Sequence, residues 1–445
     1  MKVCILGLGY IGFPTACVAA SAGHEVVGVD VNRDILNKLR SGGLHISNES
    51  GLRGLARDVL DSGRLTLSEI PVPADVFIIA VPTPFRKVRN LAADQVAATS
   101  VVRSGHRDPD GHVADLSFVE RASADLAPFV RAGSLVILES TVPPGTTENL
   151  VRRVIEDGSR LTCGRDFFLA HAPERVLPGN ILGELVNNDR VIGGVGPQAT
   201  DLAVGFYTTF VRGQVFQTDA TTAEMVKLME NTYRDVNIAL ANEFALIAER
   251  LGIDVFQAIS LANRHPRVTI LKPGPGVGGH CIAVDPYFIV EACPDVARVI
   301  STAREVNSNM PYHVISLVKD ELSRVKTSGY KPRKAAVLGA AYKANVDDDR
   351  ESPSIEIADT LSSLYETVEI HDPHVARFSA RPLDDVLKDA DVILLLTDHA
   401  AYRGLKPAEV RALVRSPIII DTRHFFGPEW DEQFRVRRLG VGGQA

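Results

Sequence analysis

The 445-residue sequence predicts an α/β protein with two Rossmann-like, doubly wound domains joined by a central helical domain that carries one long helix. Three observations predict it. The chain opens with a β-branched run, a GxGxxG turn and a stretch of small helix formers, in that order. From Thr221 to Leu251 apolar residues recur at helical spacing with no Pro or Gly to interrupt them. Beyond that stretch, short apolar runs again alternate with helical segments, the pattern of a second parallel sheet.

Lys2 to Leu6 (KVCIL) suits a buried parallel strand, and Gly7-Leu8-Gly9-Tyr10-Ile11-Gly12 follows at once. Gly7 allows the tight turn, Gly9 lets backbone approach a pyrophosphate, and Gly12 lets helix and strand pack closely. The helix that follows then offers free N–H groups to phosphate. Tyr10 and Ile11 fill the variable positions of the turn. A second strand, Glu25 to Val29, ends at Asp30, eighteen residues after Gly12. A carboxylate there accepts the ribose hydroxyls and repels a 2′-phosphate, so NAD is the expected cofactor, with Arg33 nearby keeping NADP open.

Further strands are expected at Ala74–Val81, Ser134–Glu139 and Phe167–Ala170. They end at Pro82-Thr83-Pro84, Ser140-Thr141 and Ala172-Pro173-Glu174. Ligands of a doubly wound sheet sit at the carboxyl ends of its strands, which directs Thr83, Thr141 and Glu174 toward one crevice. Each threonine alone also reads as an ordinary turn or cap residue.

The stretch from Thr221 to Leu251 predicts a helix near 30 residues, about 45 Å long, stopped at Gly252. Such a striped helix is a common dimer seam, so a homodimer is expected. A helical stretch follows near Ser301 to Lys326. Strands are then expected at Lys334–Leu338, Thr367–Ile370, Ala390–Leu396 and Pro417–Ile420, with a helix at Ser354–Leu364. This region lacks GxGxxG; its first strand leads into Gly339-Ala340-Ala341-Tyr342-Lys343, as expected of a nucleotide site without the dinucleotide fingerprint. The expected domains are 1–200 (NAD-binding), 201–305 (central helical) and 306–445 (second nucleotide-binding).

Composition narrows the function. The 48 Lys and Arg against 55 Asp and Glu give a net charge of −7 with no basic block, which argues against a nucleic-acid partner. No apolar run reaches the ~18–20 residues that span a bilayer. The N-terminus superficially imitates a secretory signal, but its glycines belong to the phosphate-binding turn, and a cytoplasmic protein is expected. Five scattered cysteines without CxxC spacing fit a reducing compartment and no structural zinc; no metal is expected.

Cys4 and Cys17 lie in the first strand and helix and read as buried packing. Cys281 is different, because it ends the Pro- and Gly-rich segment Pro273-Gly274-Pro275-Gly276-Val277-Gly278-Gly279-His280-Cys281. Glycines bring backbone N–H groups close to a ligand, and a thiol on such a loop is placed for attack. Asp285, four residues on, is within reach if the segment begins a helical turn. On the long helix, Lys227 and Asn231 share a face at i, i+4. They read either as a solvated helix edge or as a cation and a carboxamide suited to a developing alkoxide.

These residues resemble the UDP-glucose/GDP-mannose dehydrogenase family over nearly the whole chain. The motifs are GLGYIG at Gly7, VPTP at Val81, EST at Glu139, APER at Ala172, KLMEN at Lys227, GGHCIAVDP at Gly278 and DDRESPS at Asp348. The resemblance implies NAD-dependent oxidation of a nucleotide sugar at C6 through two successive two-electron steps. Within the family, Glu174–Gly194 and Asn263–Pro286 look most like the branch acting on UDP-N-acetyl-D-mannosamine, whose uronic acid product serves surface polysaccharide synthesis. UDP-N-acetylglucosamine and UDP-glucose are the alternatives, and a non-catalytic nucleotide-binding protein is the reading from another class.

By resemblance, Cys281 is the nucleophile that holds the aldehyde as a thiohemiacetal and then a thioester. Lys227 and Asn231 stabilise the oxyanion, Asp285 and Thr141 hold water or move a proton, and Glu174 is a candidate base for hydrolysis. Arg175, Gly278, Lys343 and Arg350 belong to the UDP-sugar site, and Arg267 matches an arginine presented to the sugar nucleotide from the same or the partner subunit. There are two departures. Pro178 stands where UDP-glucose enzymes carry a second glutamate, which supports the acetamido-sugar branch. An extended basic segment, residues 86–113, separates VPTP from the DLS that the family reaches quickly; it reads as a tolerated insertion or as a lid or intersubunit contact.

Overall fold

The computed structural model describes residues 1–46, 49–87, 112–176, 179–325 and 332–443. Pro178 and residues 88–111 of the basic segment lie outside these. The chain divides into two units: Met1–Glu230 with Tyr287–Val296, and Asn231–Pro286 with Ala297–Ala445.

The first unit is built on β1 (Lys2–Leu6), β2 (Glu25–Val29), β3 (Leu65–Ser68), β4 (Val76–Ile79), β5 (Phe85–Lys87), β6 (His112–Ala114), β7 (Leu135–Leu138), β8 (Phe168–His171), β9 (Arg190–Gly194) and β10 (Val215–Asp219). Eight of them form one sheet in the order β10-β9-β8-β7-β4-β1-β2-β3. All neighbours are parallel except β8 and β9. Alternate residues of β1 feed opposite faces: Val3 and Ile5 enter one apolar core, Cys4 and Leu6 the other. That two-sided burial explains the unbroken apolar strands, and burial pushes the Cys4 thiol up to about 11 and that of Cys17 to about 12. Both cysteines are packing residues, as their positions predict. The order reverses between β1 and β4, and a crevice opens at their carboxyl ends.

The second unit carries β11 (Lys334–Leu338), β12 (Thr367–His371), β13 (Val392–Leu395), β14 (Ile418–Asp421) and β15 (Arg435–Arg438). They form an all-parallel sheet in the order β12-β11-β13-β14-β15, again reversing beside its first strand. Ala335 and Val337 face one core, Ala336 and Leu338 the other. The long helix spans Ala220–Leu251, 32 residues and about 48 Å. Gly252 terminates it at φ +74°, a left-handed conformation that only glycine adopts without strain.

Every strand expected from the sequence is present within two residues at either end. The missed strands are the hairpin pair β5 and β6 and, in the two large sheets, β3, β9, β10 and β15. Among the latter four, three are sheet edges with polar or basic faces (LTLS, VFQTD, RVRR), which do not show the apolar run of a buried strand. β9 ends in Gly193 and Gly194, where a Cβ would lie 2.0 Å from the Asp219 carbonyl oxygen and 2.3 Å from the Thr200 nitrogen, so packing demands residues of low strand propensity.

The ends of the basic segment do have defined structure. β5 and β6 pair as an antiparallel hairpin, Phe85 opposite Ala114. The His112 ring stacks on Tyr287 at 4.0 Å, and Glu291 accepts the Ala114 N–H at 2.8 Å.

One buried ion pair stands out in the second unit. Arg304 Nη1 donates to Asp235 Oδ1 at 2.6 Å, and Asn307 Nδ2 donates to the same oxygen at 2.8 Å, with the Asp235 side chain fully buried. Removing the cation strands a carboxylate in low dielectric. Arg304→Met is therefore expected to cost ~3–5 kcal/mol. Chemical denaturation should show this as a lowered midpoint, partly restored by adding Asp235→Leu.

Candidate active site

The Gly7–Gly12 turn has the geometry its sequence predicts. Gly7 sits at φ +92°, where a Cβ would lie 2.5 Å from the Ala80 carbonyl oxygen. At Gly12 a Cβ would lie 1.9 Å from the Gly7 oxygen, whereas at Gly9 it would meet nothing within 4 Å. The first and third glycines are thus needed for packing and the second leaves an open approach, which is what a pyrophosphate requires. Asp30 at the end of β2 accepts Leu8 N–H and Asn32 N–H, both at 2.8 Å, and is only half-buried. Arg33, the residue that kept a 2′-phosphate open, is paired with Glu69 at 2.9 Å. The residues present fit NAD.

Tyr10, inside the turn, is held by a residue the sequence did not single out. Its hydroxyl donates to Glu49 at 2.5 Å, and Glu49 also accepts the N–H groups of Gly179 (2.6 Å) and Ile181 (3.0 Å). One carboxylate therefore joins the phosphate-binding turn to the loop that follows Glu174. A lone Glu with no motif around it gives no sequence signal of this.

Thr83 and Thr141 lie half-buried just beyond β4 and β7, as the strand pattern predicts. Glu174, just beyond β8, is enclosed in a buried charge cluster. Its Oε2 accepts from Arg190 Nη2 at 2.6 Å and its Oε1 from the Arg175 N–H at 2.7 Å. The Arg190 guanidinium lies 4.5 Å over the Tyr207 ring, and the Tyr207 hydroxyl donates to Glu139 at 2.6 Å. Burial raises the Glu139 carboxyl from 4.5 to about 7; Arg190 opposes the shift and the charge of Glu174 adds to it. Arg175, expected in the substrate site, has its guanidinium on Glu230 at 2.6 Å and on the Asp189 carbonyl. Arg190 went unrecognised because an arginine opening an edge-proximal strand normally reads as solvated.

The start of the long helix is pinned to the loop after β7. Glu224 accepts both the N–H (2.7 Å) and the hydroxyl (2.5 Å) of Thr147. Lys227 follows one turn later and Asn231 one turn after that, on one helix face as expected.

In the second unit, Cys281 is exposed. Its carbonyl accepts the Asp285 N–H at 2.9 Å, so the helical turn required to bring Asp285 back toward the thiol is present. Asn231 Nδ2 donates to Asp285 Oδ2 at 2.5 Å, and Asp285 is almost fully buried. The structure thus joins the Asn231 and Asp285 side chains and places Cys281 one helical turn before Asp285. Glycine is required on the approach: a Cβ on Gly278 would lie 2.5 Å from the Glu351 carbonyl oxygen, and one on Gly279 would lie 3.0 Å from the Tyr342 ring. Gly279 N–H donates to the Arg350 carbonyl at 3.2 Å, and Asp348 clasps the Arg350 guanidinium at 2.6 and 2.7 Å. The Asp348 hydrogen bonds raise the titration of Arg350, and burial raises that of Tyr342, with Cys281 a lesser contributor to each. Lys343 is exposed next to Tyr342, and Arg267 is exposed in the loop after the helix Val255–Ala262. Arg423, also missed, packs its guanidinium against Gly274 of the glycine-rich loop.

Two outcomes follow from these contacts. Glu139 ionises near 4.5 when unfolded and near 7 when folded, so its anion destabilises the fold increasingly as pH rises between those values, by roughly 3 kcal/mol above them. Glu139→Gln should accordingly raise Tm at pH 8.5 relative to the parent and lose that advantage at pH 4.5. Replacing Asp30 and Glu69 together by Ala should free Arg33 and shift the NADP:NAD ratio of kcat/KM by at least about tenfold, ~1.4 kcal/mol, in steady-state assays.

Three family models match the chain in succession: the UDP-glucose/GDP-mannose dehydrogenase NAD binding domain at residues 1–211, central domain at 221–309 and UDP binding domain at 336–428. A UDP-N-acetyl-D-mannosamine dehydrogenase of Methanococcus maripaludis is 43% identical over 99% of this chain and 97% of its own length. An NDP-N-acetyl-D-galactosaminuronic acid dehydrogenase of Ralstonia nicotianae is 43% identical over 95% of each. The solved UDP-D-ManNAc dehydrogenase structure from Pyrococcus horikoshii superimposes with a TM-score of 0.88 at 41% identity, covering 99% of this chain and 100% of that one. With the phosphate-binding turn, the Asn231–Asp285–Cys281 arrangement and the second parallel sheet all in place, the chain belongs to the UDP-glucose/GDP-mannose dehydrogenase family.

Proposed function

We propose that the protein oxidises C6 of UDP-N-acetyl-D-mannosamine to the uronic acid, with two NAD reduced per sugar and the product destined for surface polysaccharide. The observation that carries the reading is the exposed Cys281, whose carbonyl is bonded by the N–H of the same Asp285 that Asn231 clasps. Support for the sugar comes from relatives named for UDP-N-acetyl-D-mannosamine, one of them 43% identical over 99% of this chain. The Ralstonia relative keeps another acetamido sugar in view.

Alcohol to acid removes four electrons, and bound NAD supplies a two-electron acceptor at each oxidation. Gly7, Gly9 and Gly12, with Tyr10 and Ile11, would cradle its pyrophosphate; Asp30 would accept the ribose hydroxyls, and Thr83 and Thr141 would lie toward the nicotinamide. The Cys281 sulfur, as the thiolate, attacks the C6 aldehyde and forms a C–S bond, giving a thiohemiacetal. Lys227 and Asn231 donate to the oxygen that becomes negative. Loss of the second electron pair leaves a thioester on Cys281. Water, held by Thr141 and Asp285 and deprotonated by Glu174, adds to it, and the C–S bond breaks to release the acid and the thiol. Holding the aldehyde covalently makes the second oxidation intramolecular and prevents its escape. Arg175, Gly278, Lys343, Arg350 and Arg267 take the sugar nucleotide.

The division into domains at 1–200, 201–305 and 306–445 is part of this proposal, as is a cytoplasmic homodimer. Met229, Tyr233, Leu240, Ile247 and Leu251 leave an exposed apolar stripe along the long helix, which suits a second copy.

The test is a panel of UDP-sugars assayed for NADH, with the stoichiometry measured. Two NADH per UDP-N-acetyl-D-mannosamine and at least about a hundredfold loss of kcat, ~2.7 kcal/mol, in Cys281→Ser are expected. One NADH per sugar, or an active Cys281→Ser, overturns the covalent mechanism.

A further inference from the structure

Each parallel sheet reverses beside its first strand, and in each a glycine of positive φ ends that strand: Gly7 at +92° and Gly339 at +94°. Each second strand is followed by an aspartate, Asp30 after β2 and Asp372 after β12. The two aspartates are used differently. Asp30 takes two backbone N–H groups and is half-buried. Asp372 is fully buried and takes five donors: Ala340 N (2.7 Å), Ala341 N (2.9 Å) and His399 Nε2 (2.9 Å) on Oδ2, and His374 N (2.8 Å) and Val375 N (3.0 Å) on Oδ1. No acceptor position is left for a ribose. Burial would raise this carboxyl, but these donors hold it well below the usual carboxylate range.

His399 extends the same knot. Its ring is fully buried, and Nδ1 accepts the Asn345 N–H at 2.9 Å, which assigns the proton to Nε2 and makes Nε2 the donor to Asp372. Asn345 is in the left-handed region at φ +61°, and its side-chain oxygen accepts the Ala400 N–H at 2.9 Å. Thr397 bonds the Ala341 carbonyl at 2.6 Å. The turn is therefore fixed at Ala340–Ala341 by Asp372 and at Asn345 by His399, leaving Tyr342-Lys343-Ala344 between the two anchors at the switch point of the sheet.

We propose that Asp372 and His399 are a positioning pair: the aspartate in the place of a ribose acceptor has become an internal anchor that, with His399, presents Lys343 to the diphosphate of the sugar nucleotide. The inference rests on the reading of Lys343 as a UDP-sugar ligand. Neither residue of the pair touches substrate, so the pair acts on nucleotide affinity and leaves the oxidation step alone.

The experiment uses the full chain, with UDP as the probe of competitive inhibition. His399→Ala is expected to raise the UDP inhibition constant and the KM for the sugar nucleotide about tenfold or more, with kcat and the KM for NAD within about twofold (~0.4 kcal/mol) of the parent. His399→Asn, which keeps an acceptor for the Asn345 N–H, should recover part of the loss and guards against a folding failure. Lys343→Ala should weaken UDP similarly, and the double variant His399→Ala/Lys343→Ala should be no weaker than Lys343→Ala alone. An unchanged UDP constant in His399→Ala, an equal fall in kcat and in affinity for both ligands, or additive losses in the double variant overturns the proposal. If Lys343→Ala leaves UDP inhibition unaltered, the Lys343 reading fails. A loss confined to His399→Ala would then also overturn the route through Lys343.

Discussion

The hydrogen bond from Asn231 to Asp285 is the constraint on which the candidate centre depends. It joins the long helix to the short helix that begins at Asp285, through two residues 54 positions apart in the chain. Everything about the glycine-rich loop serves the junction. Gly278 and Gly279 have no room for a side chain, so the backbone lies directly against Glu351 and Tyr342, and Cys281 follows two residues after Gly279. A carboxamide is the right partner there: it binds Asp285 without a charge of its own, and its nitrogen keeps a second N–H for an incoming oxygen.

The same economy governs the charges. Several buried carboxylates among the described residues are met by guanidinium groups or by rows of backbone N–H groups. Arg190 serves Glu174 while resting on Tyr207; Arg304 serves Asp235; Asp372 is satisfied almost entirely by backbone. A planar, permanently charged fork holds a carboxylate in one orientation, whereas an ammonium on a flexible stem does not. The lysines singled out for chemistry, Lys227 and Lys343, are not used in these buried structural pairs.

Much of this was legible in the sequence because its signals are local. A glycine turn between a strand and a helix, an acid at the end of the next strand, an uninterrupted 30-residue stripe and a Cys–Asp spacing of one helical turn each carry their own geometry. The motifs that match the family extend that legibility along the chain. The unread parts are those in which one residue is defined by distant partners. Glu49 matters because Tyr10 and Gly179 converge on it, Arg190 because Glu174 and Tyr207 do, and Arg423 because it packs on Gly274. Nothing in the neighbourhood of those residues along the chain distinguishes them from solvated polar positions. The edge strands escaped for the same reason, since half of each faces away from any core.

The hairpin of Phe85–Lys87 with His112–Ala114 has an evolutionary consequence. Because its two feet are already brought together by strand pairing and by the ring stack on Tyr287, the entropy of closing whatever chain lies between them rises only logarithmically with length. Doubling that excursion adds about 0.6 kcal/mol, less than a single well-packed methylene contributes. Natural variation can therefore lengthen, shorten or recompose the segment between Lys87 and His112 while the sheet that holds the cofactor turn is left undisturbed. The hairpin thereby separates the length of that segment from the geometry of the sheet.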